Sequence, residues 1–142
     1  MAGVGANFVL DKGWPVLSTY NSSAAAGVVA FRCVGFGAGG TIDINATATA
    51  RSVGVVQENI DQVDVATGKA VANVRMMGIT TVLCTTAASV VLGSLVAPTT
   101  SGGVKLAATT NVPIGVVVGI TGTLADGNLI QVLLTPGIPA LA

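Results

Sequence analysis

Histidine is absent from this chain of 142 residues, and only 8% of it is charged, six basic residues cancelling six acidic ones. Without histidine, a nucleophilic Ser or Cys would need Lys12, Lys69 or Lys105 as its base, and no Ser-x-x-Lys motif occurs. The two cysteines, Cys33 and Cys84, lie far apart and form no Cys-x-x-Cys, so they cannot complete a zinc set. They read as buried, reduced thiols acting as small hydrophobes, with a disulfide as the alternative. Basic residues are few, scattered and unaccompanied by aromatics, which excludes a nucleic-acid footprint. Aromatics make up 4% of the chain, too few for the girdles of an outer-membrane barrel, and one Trp and one Tyr weigh against the platforms of a glycan site. The sequence points to no enzyme, no cofactor and no small-molecule substrate.

Long hydrophobic runs are missing too. Leu106 to Ala125 is uncharged and as long as a bilayer span, but Asn111, Pro113, Gly115, Gly119, Gly122 and threonines interrupt it. Its apolar part is the short run Ile114 to Ile120, which fits a strand. We expect no membrane association. The N-terminus, MAGVGANFVLDKG, has neither a basic segment nor a continuous apolar one, so no secretion is expected and the protein is made in a cytoplasm. The sequons at Asn21-Ser22-Ser23 and Asn45-Ala46-Thr47 are then chance matches.

What is present is apolar and β-forming. Hydrophobic residues make up 51% of the chain, and mean hydropathy is +0.81. Val, Ile and Thr dominate, with Gly or Pro every few residues. A small monomer normally covers its surface with charge, so this composition predicts burial between subunits.

Strict alternation marks strands at Thr41-Ile42-Asp43-Ile44-Asn45 and Val63-Asp64-Val65, and over Ala70 to Met76, where Asn73 and Arg75 form the wet face. Hairpins are predicted at Thr67-Gly68-Lys69, at Pro98 to Gly103, and at Ala125-Asp126-Gly127-Asn128, the last joining Ile114–Ile120 to Leu129–Leu134. Thr86 to Leu92, closed by Gly93, reads as the one short helical turn. Val53-Gly54-Val55-Val56 recurs as Ile114-Gly115-Val116-Val117, which suggests two similar strand pairs. The fold class is therefore all-β: a small antiparallel β-barrel, β-tulip-like, with one short helical turn. Closure removes exposed strand edges, and a sandwich is the alternative. We expect an N-terminal arm over residues 1–20 and a single barrel domain over residues 21–142.

Two clusters tempt a chemical reading. Gly35-Phe36-Gly37-Ala38-Gly39-Gly40 matches the dinucleotide pattern GxGxxG, but an alternating strand follows it where a helix is needed, so it reads as a hairpin loop. Glu58, Asp61 and Asp64 lie within seven residues. They lack the spacing of a calcium loop and read as a solvated edge or a polar contact with a basic partner. Trp14, in Lys12-Gly13-Trp14-Pro15, reads as a cap on the barrel or as an anchor for another protein.

The order of pieces resembles the tailed-bacteriophage capsid decoration, or cement, proteins. Asn7-Phe8-Val9 and Gly13 open it. Val74 to Gly78, Thr86 to Gly93, Ser94-Leu95-Val96, the Gly102-Gly103 turn, Ile114-Gly115-Val116 and Gly127-Asn128-Leu129-Ile130-Gln131-Val132-Leu133-Leu134 follow. The resemblance is weakest over residues 27–50. It implies a homotrimer on the outer face of a phage head, which binds the major capsid protein, bridges its subunits and stabilises the expanded shell. It also implies no catalytic residues, and contact through the N-terminal arm. Asn7, Phe8, Val9, Trp14 and Pro15 are then the capsid-contact candidates. A receptor- or glycan-binding module of a virion fibre or surface array is the alternative.

Overall fold

Among the described residues, β-branched residues separated by glycine-bearing turns give nine strands and almost no helix. A computed structural model describes residues 8–21, 27–45, 47–135 and 137–142. The strands are β1 (Leu10–Pro15), β2 (Cys33–Phe36), β3 (Ile42–Ile44), β4 (Ser52–Val56), β5 (Val71–Leu83), β6 (Leu95–Pro98), β7 (Val104–Leu106), β8 (Gly115–Gly119) and β9 (Leu129–Leu134). The helical parts are a 3-10 turn at Ala38–Gly40 and α1 (Gln62–Ala66). Every strand pair is antiparallel, in the order β3-β2-β4-β5-β9-β8-β6-β7, with β1 also on β5.

The thirteen-residue β5 is the spine. Its first half pairs with β1, from Val71↔Pro15 to Met77↔Leu10, and its second half with β9, from Gly78↔Leu134 to Leu83↔Leu129. Gly78 sits at the changeover with φ +98°, and a Cβ there would meet the Phe8 carbonyl oxygen and Val9. Only glycine supplies both that dihedral and that close approach. Bridges from Val16 to Ile42 and from Cys84 to Val104 bring each end of the sheet back towards its start. The sheet therefore curls into a half-barrel on either side of β5, as the all-β barrel expectation requires.

Each half has its own core. Val16, Tyr20, Val34, Ile42, Val56, Val65, Ala72 and Val74 fill the N-terminal one, and Val82, Cys84, Val96, Val104, Val117, Ile130 and Val132 the C-terminal one. Cys33 and Val55 join the C-terminal core while their chain neighbours Val34 and Val56 join the other. β2 and β4 are thus buried on both faces, which explains why their sequences are continuously apolar. The repeated Val-Gly-Val-Val and Ile-Gly-Val-Val occupy equivalent places. A Cβ on Gly54 would meet the Arg75 carbonyl oxygen of β5, and one on Gly115 the Leu133 carbonyl oxygen of β9.

Several local expectations hold. β3 and the Ala70–Met76 alternation appear as read, as do the β6–β7 and β8–β9 hairpins. The glycine-rich 35–40 stretch turns β2 into β3. Others need correction. Val63-Asp64-Val65 is not a strand but the middle of α1, with Val65 buried and Val63 78% exposed. Three residues of alternation fit the two sides of a helical turn as well as the two faces of a strand. The predicted Gly68-Lys69 hairpin is the end of that helix, where the Gly68 N–H donates to the Val65 carbonyl. The helical turn predicted over Thr86–Gly93 is a pair of tight turns, Val90 N–H to Ala87 O and Ser94 N–H to Val91 O, with Ser89 at φ +61° and Gly93 at +86°.

The segment expected as an arm over residues 1–20 is paired with β5 from Leu10 to Pro15, and Val16 and Tyr20 lie in the N-terminal core.

Candidate interaction surface

Apolar side chains converge where β1 meets the middle of β5. Phe8 is 85% exposed, and Val9 and Leu10 are exposed after it. Leu10 sits opposite exposed Met77 in the β1–β5 register. Two residues along β5, Ile79 is opposite Leu133 of β9, Leu133 opposite Val116 of β8, and Val116 opposite Leu95 of β6. Directly opposed residues share a face. Ile130, Val132 and Leu134 point into the core, so Leu129, Gln131 and Leu133 point out. The result is an uncharged strip from Phe8 across five strands, β1, β5, β9, β8 and β6, to Leu95. It is bounded on one side by Thr81 and Gln131, paired in the next outward row, and on the other by the Arg75–Asp11 ion pair, whose Arg75 Nη1 donates to the Ile79 carbonyl at 3.1 Å. Outside it, Val91 and Leu92 stand 62% and 63% exposed on the turns after β5.

Of the contact residues expected from sequence, Asn7 lies outside the described residues. Phe8 and Val9 are exposed and lie beside Gly78, at the N-terminal end of the strip. Trp14 does not: it is half-buried against the N-terminal core, edge-on to Phe36 with ring centroids 6.1 Å apart. Lys12 Nζ sits 4.3 Å from its ring centroid, a cation over the π face. The indole Nε1 is buried and has no partner among the described residues. Pro15 is exposed at the end of β1, opposite Val71. The strip residues on β6, β8 and β9 were not singled out from sequence. Their only signal was an apolar residue on the wet side of an alternating strand, as at Leu129, Leu133 and Met77.

The chemistry of the rest is quiet. The Asp11 carboxylate takes Arg75 Nε at 2.9 Å and Nη2 at 3.1 Å, and this pairing holds Asp11 below the usual carboxylate range. Burial pushes the Cys33 thiol up to about 12 and raises Cys84 as well, and both are free and buried in the same core. Such thiols are poor nucleophiles. The acidic trio disperses: Glu58 accepts the Asn73 N–H at 2.8 Å, Asp61 precedes α1 and Asp64 lies in its first turn. Among the described residues no three His, Cys, Asp or Glu side chains are grouped to hold a metal, and no helix is long and apolar enough to cross a membrane.

No family model matches this chain, and no curated protein matches it in sequence. A solved structure shares its fold. The chain is similar to the head fiber gp8.5 N base in bacteriophage phi29, known from a crystal structure, with a TM-score of 0.60. The likeness covers 95% of this chain and 99% of that one, at 14% identity. At that identity it is a likeness of architecture, and it extends through both halves of the molecule.

Proposed function

We propose that this chain is a non-enzymatic structural protein of a bacteriophage virion, made in the host cytoplasm and carried on the outer face of the head. There it binds the major capsid protein as a homotrimer, bridges capsid subunits and stabilises the expanded shell. The observation that carries this reading is the full-length fold likeness to a head fiber base. The uncharged strip from Phe8 to Leu95 supports it, because an exposed apolar face of this kind suits burial against another protein. Sparse charge and buried, high-pKa thiols fit a role exercised through binding alone.

A second reading is a receptor- or glycan-binding module of a virion fibre or surface array, which the likeness to a head fiber base keeps open.

The test is co-sedimentation of the purified protein with expanded heads and with unexpanded shells. We expect saturable binding that prefers expanded heads and protects them against heat, since each occupied site adds RT ln(1 + [L]/Kd) to shell stability. The free protein should sediment as a trimer of about 42 kDa from 13.9 kDa chains. Binding to neither shell would overturn the reading. Binding to a glycan array but not to heads would favour a distal, receptor-facing role.

A further inference from the structure

β5 changes partners at one point. β1 pairs with Val71 to Met77 and β4 with Val74 and Arg75, while β9 pairs with Gly78 to Leu83. Among the described residues no strand has register partners on both sides of that point. Gly78 itself, at φ +98°, has no side chain to stiffen the backbone there. The apolar strip crosses the same point: Leu10 and Met77 lie before it, and Ile79, Leu133, Val116 and Leu95 after it. Its shape therefore depends on the angle that β5 keeps at Gly78.

Arg75 ties the two sides together at the border of the strip. Its Nε and Nη2 donate to the Asp11 carboxylate of β1 at 2.9 and 3.1 Å, and its Nη1 donates across Gly78 to the Ile79 carbonyl at 3.1 Å. One planar guanidinium thus joins β1 and both halves of β5, a geometry that needs its rigid fork. The two side chains are 22% and 27% exposed, so water and salt screen the pair less than a fully exposed one. The register shift between Leu10 and Asp11 sits beside it, and the Phe8 carbonyl and Val9 lie against Gly78. The chain that carries the exposed end of the strip is therefore anchored at the same place. A second tie lies on the buried side, where the Gln57 N–H donates to Asn73 O at 2.9 Å and its Nε2 to Thr80 Oγ1 at 2.8 Å. Thr80 is buried, so that tie serves the core, and Arg75 serves the surface.

We propose that Arg75 is a positioning residue, which fixes β5 at Gly78 and so presents the strip from Phe8 to Leu95 as one preformed surface to its partner. The inference rests on the reading of the strip as a contact with the head. A face whose two parts turn about a glycine must be ordered at the moment of binding, which lowers affinity without removing a contact. Arg75 acts through the backbone, because the N–H groups on Nε, Nη1 and Nη2 are directed at Asp11 and Ile79.

The experiment compares wild type, Arg75→Lys and Asp11→Asn by hydrogen exchange of the free protein, melting, and co-sedimentation with expanded heads. Lysine keeps the charge, but its single nitrogen cannot hold both carboxylate oxygens and the Ile79 carbonyl in the same plane. Arg75→Lys should speed exchange several-fold at the amides of residues 8–12 and 77–80 and leave Ile130 and Val132 unchanged. The Tm should fall by no more than about 4 °C. Head affinity should fall about tenfold, although nearly all of the variant stays folded. Asp11→Asn, which leaves the bond to Ile79, should fall between the two. Made on top of Met77→Ala, Arg75→Lys should weaken head binding less than it does alone, because both act through the strip. Arg75→Lys that binds heads or exchanges as wild type does overturns the proposal, and so does faster exchange spread evenly over the sheet. Wild type that binds no heads removes the reading of the strip as a head contact, and exchange at residues 8–12 and 77–80 then decides whether Arg75 holds the kink. If Arg75→Lys does not fold, Asp11→Asn decides alone.

Discussion

Truncation from the N-terminus should be tolerated up to β1 and fail once β1 is removed. Deleting residues 2–9 takes away Phe8 and Val9, both exposed, and none of the described core. Its cost should stay within about 1 kcal/mol, as for other exposed positions. Deleting residues 2–17 removes Val16, 2% exposed, half-buried Trp14, and the whole β1 ladder on β5. Burial of Val16 is worth about 1.5–3 kcal/mol. Half of a tryptophan's usual loss adds about 2 kcal/mol. The bonds from Val16 N–H to Ala70 O and Leu17 N–H to Ile42 O add about 1 kcal/mol each. The total, about 5–7 kcal/mol, is comparable to the whole stability of many domains, about 5–15 kcal/mol. It would also strip the edge of β5. Circular-dichroism melts and guanidinium titrations of both truncations check this. The shorter deletion should melt within a few degrees of full length but bind heads more weakly, and the longer should be unfolded or aggregated. A longer deletion that melts like full length would refute the placement of β1 and Val16 in the core. Full head binding by the shorter one would remove Phe8 and Val9 from the contact.

Gly115→Ala and Gly54→Ala should each cost about 1–3 kcal/mol, because the methyl meets a backbone carbonyl of the adjacent strand. Gly127→Ala, in open space at φ +87°, should cost only about 1 kcal/mol, and melting curves rank the three. Both cysteines should resist a thiol reagent at pH 8 until denaturant is added. The folded Cys33 pKa, about 12, lies above its ordinary 9.0, so the folded state keeps a proton that the unfolded chain releases. Stability is intact below that ordinary value and is lost as pH rises towards the folded one, and Cys33→Ala should flatten the fall in guanidinium midpoint. Head binding should change little between low and moderate salt, since the strip carries no charge. Occupancy that collapses over that range would shift the contact to groups such as Glu58, Asp61 and Asp64.

The amino-acid order determined what depends on neighbours in sequence. Alternation over Thr41–Asn45 and Ala70–Met76 placed those strands, and turn chemistry at Gly102-Gly103 and Asp126-Gly127 placed two hairpins. The lack of histidine and charge left little for a site to be built from. Short segments were ambiguous where helix and strand periods coincide, so α1 was read as a strand and the 86–93 turns as a helix.

Only the tertiary structure decided what depends on register between distant segments. β1 joins β5 across some sixty residues of sequence, and that pairing puts Leu10 beside Met77 and draws Val16 and Tyr20 inward. Phe8 and Val9 were candidates because Asn7-Phe8-Val9 resembles the opening of the capsid decoration proteins. Ile79, Leu133, Val116 and Leu95 were not, because no single strand shows that its outward apolar residue meets three others. Local propensity acts over a few residues, whereas burial and pairing act wherever the closed sheet brings the chain back on itself.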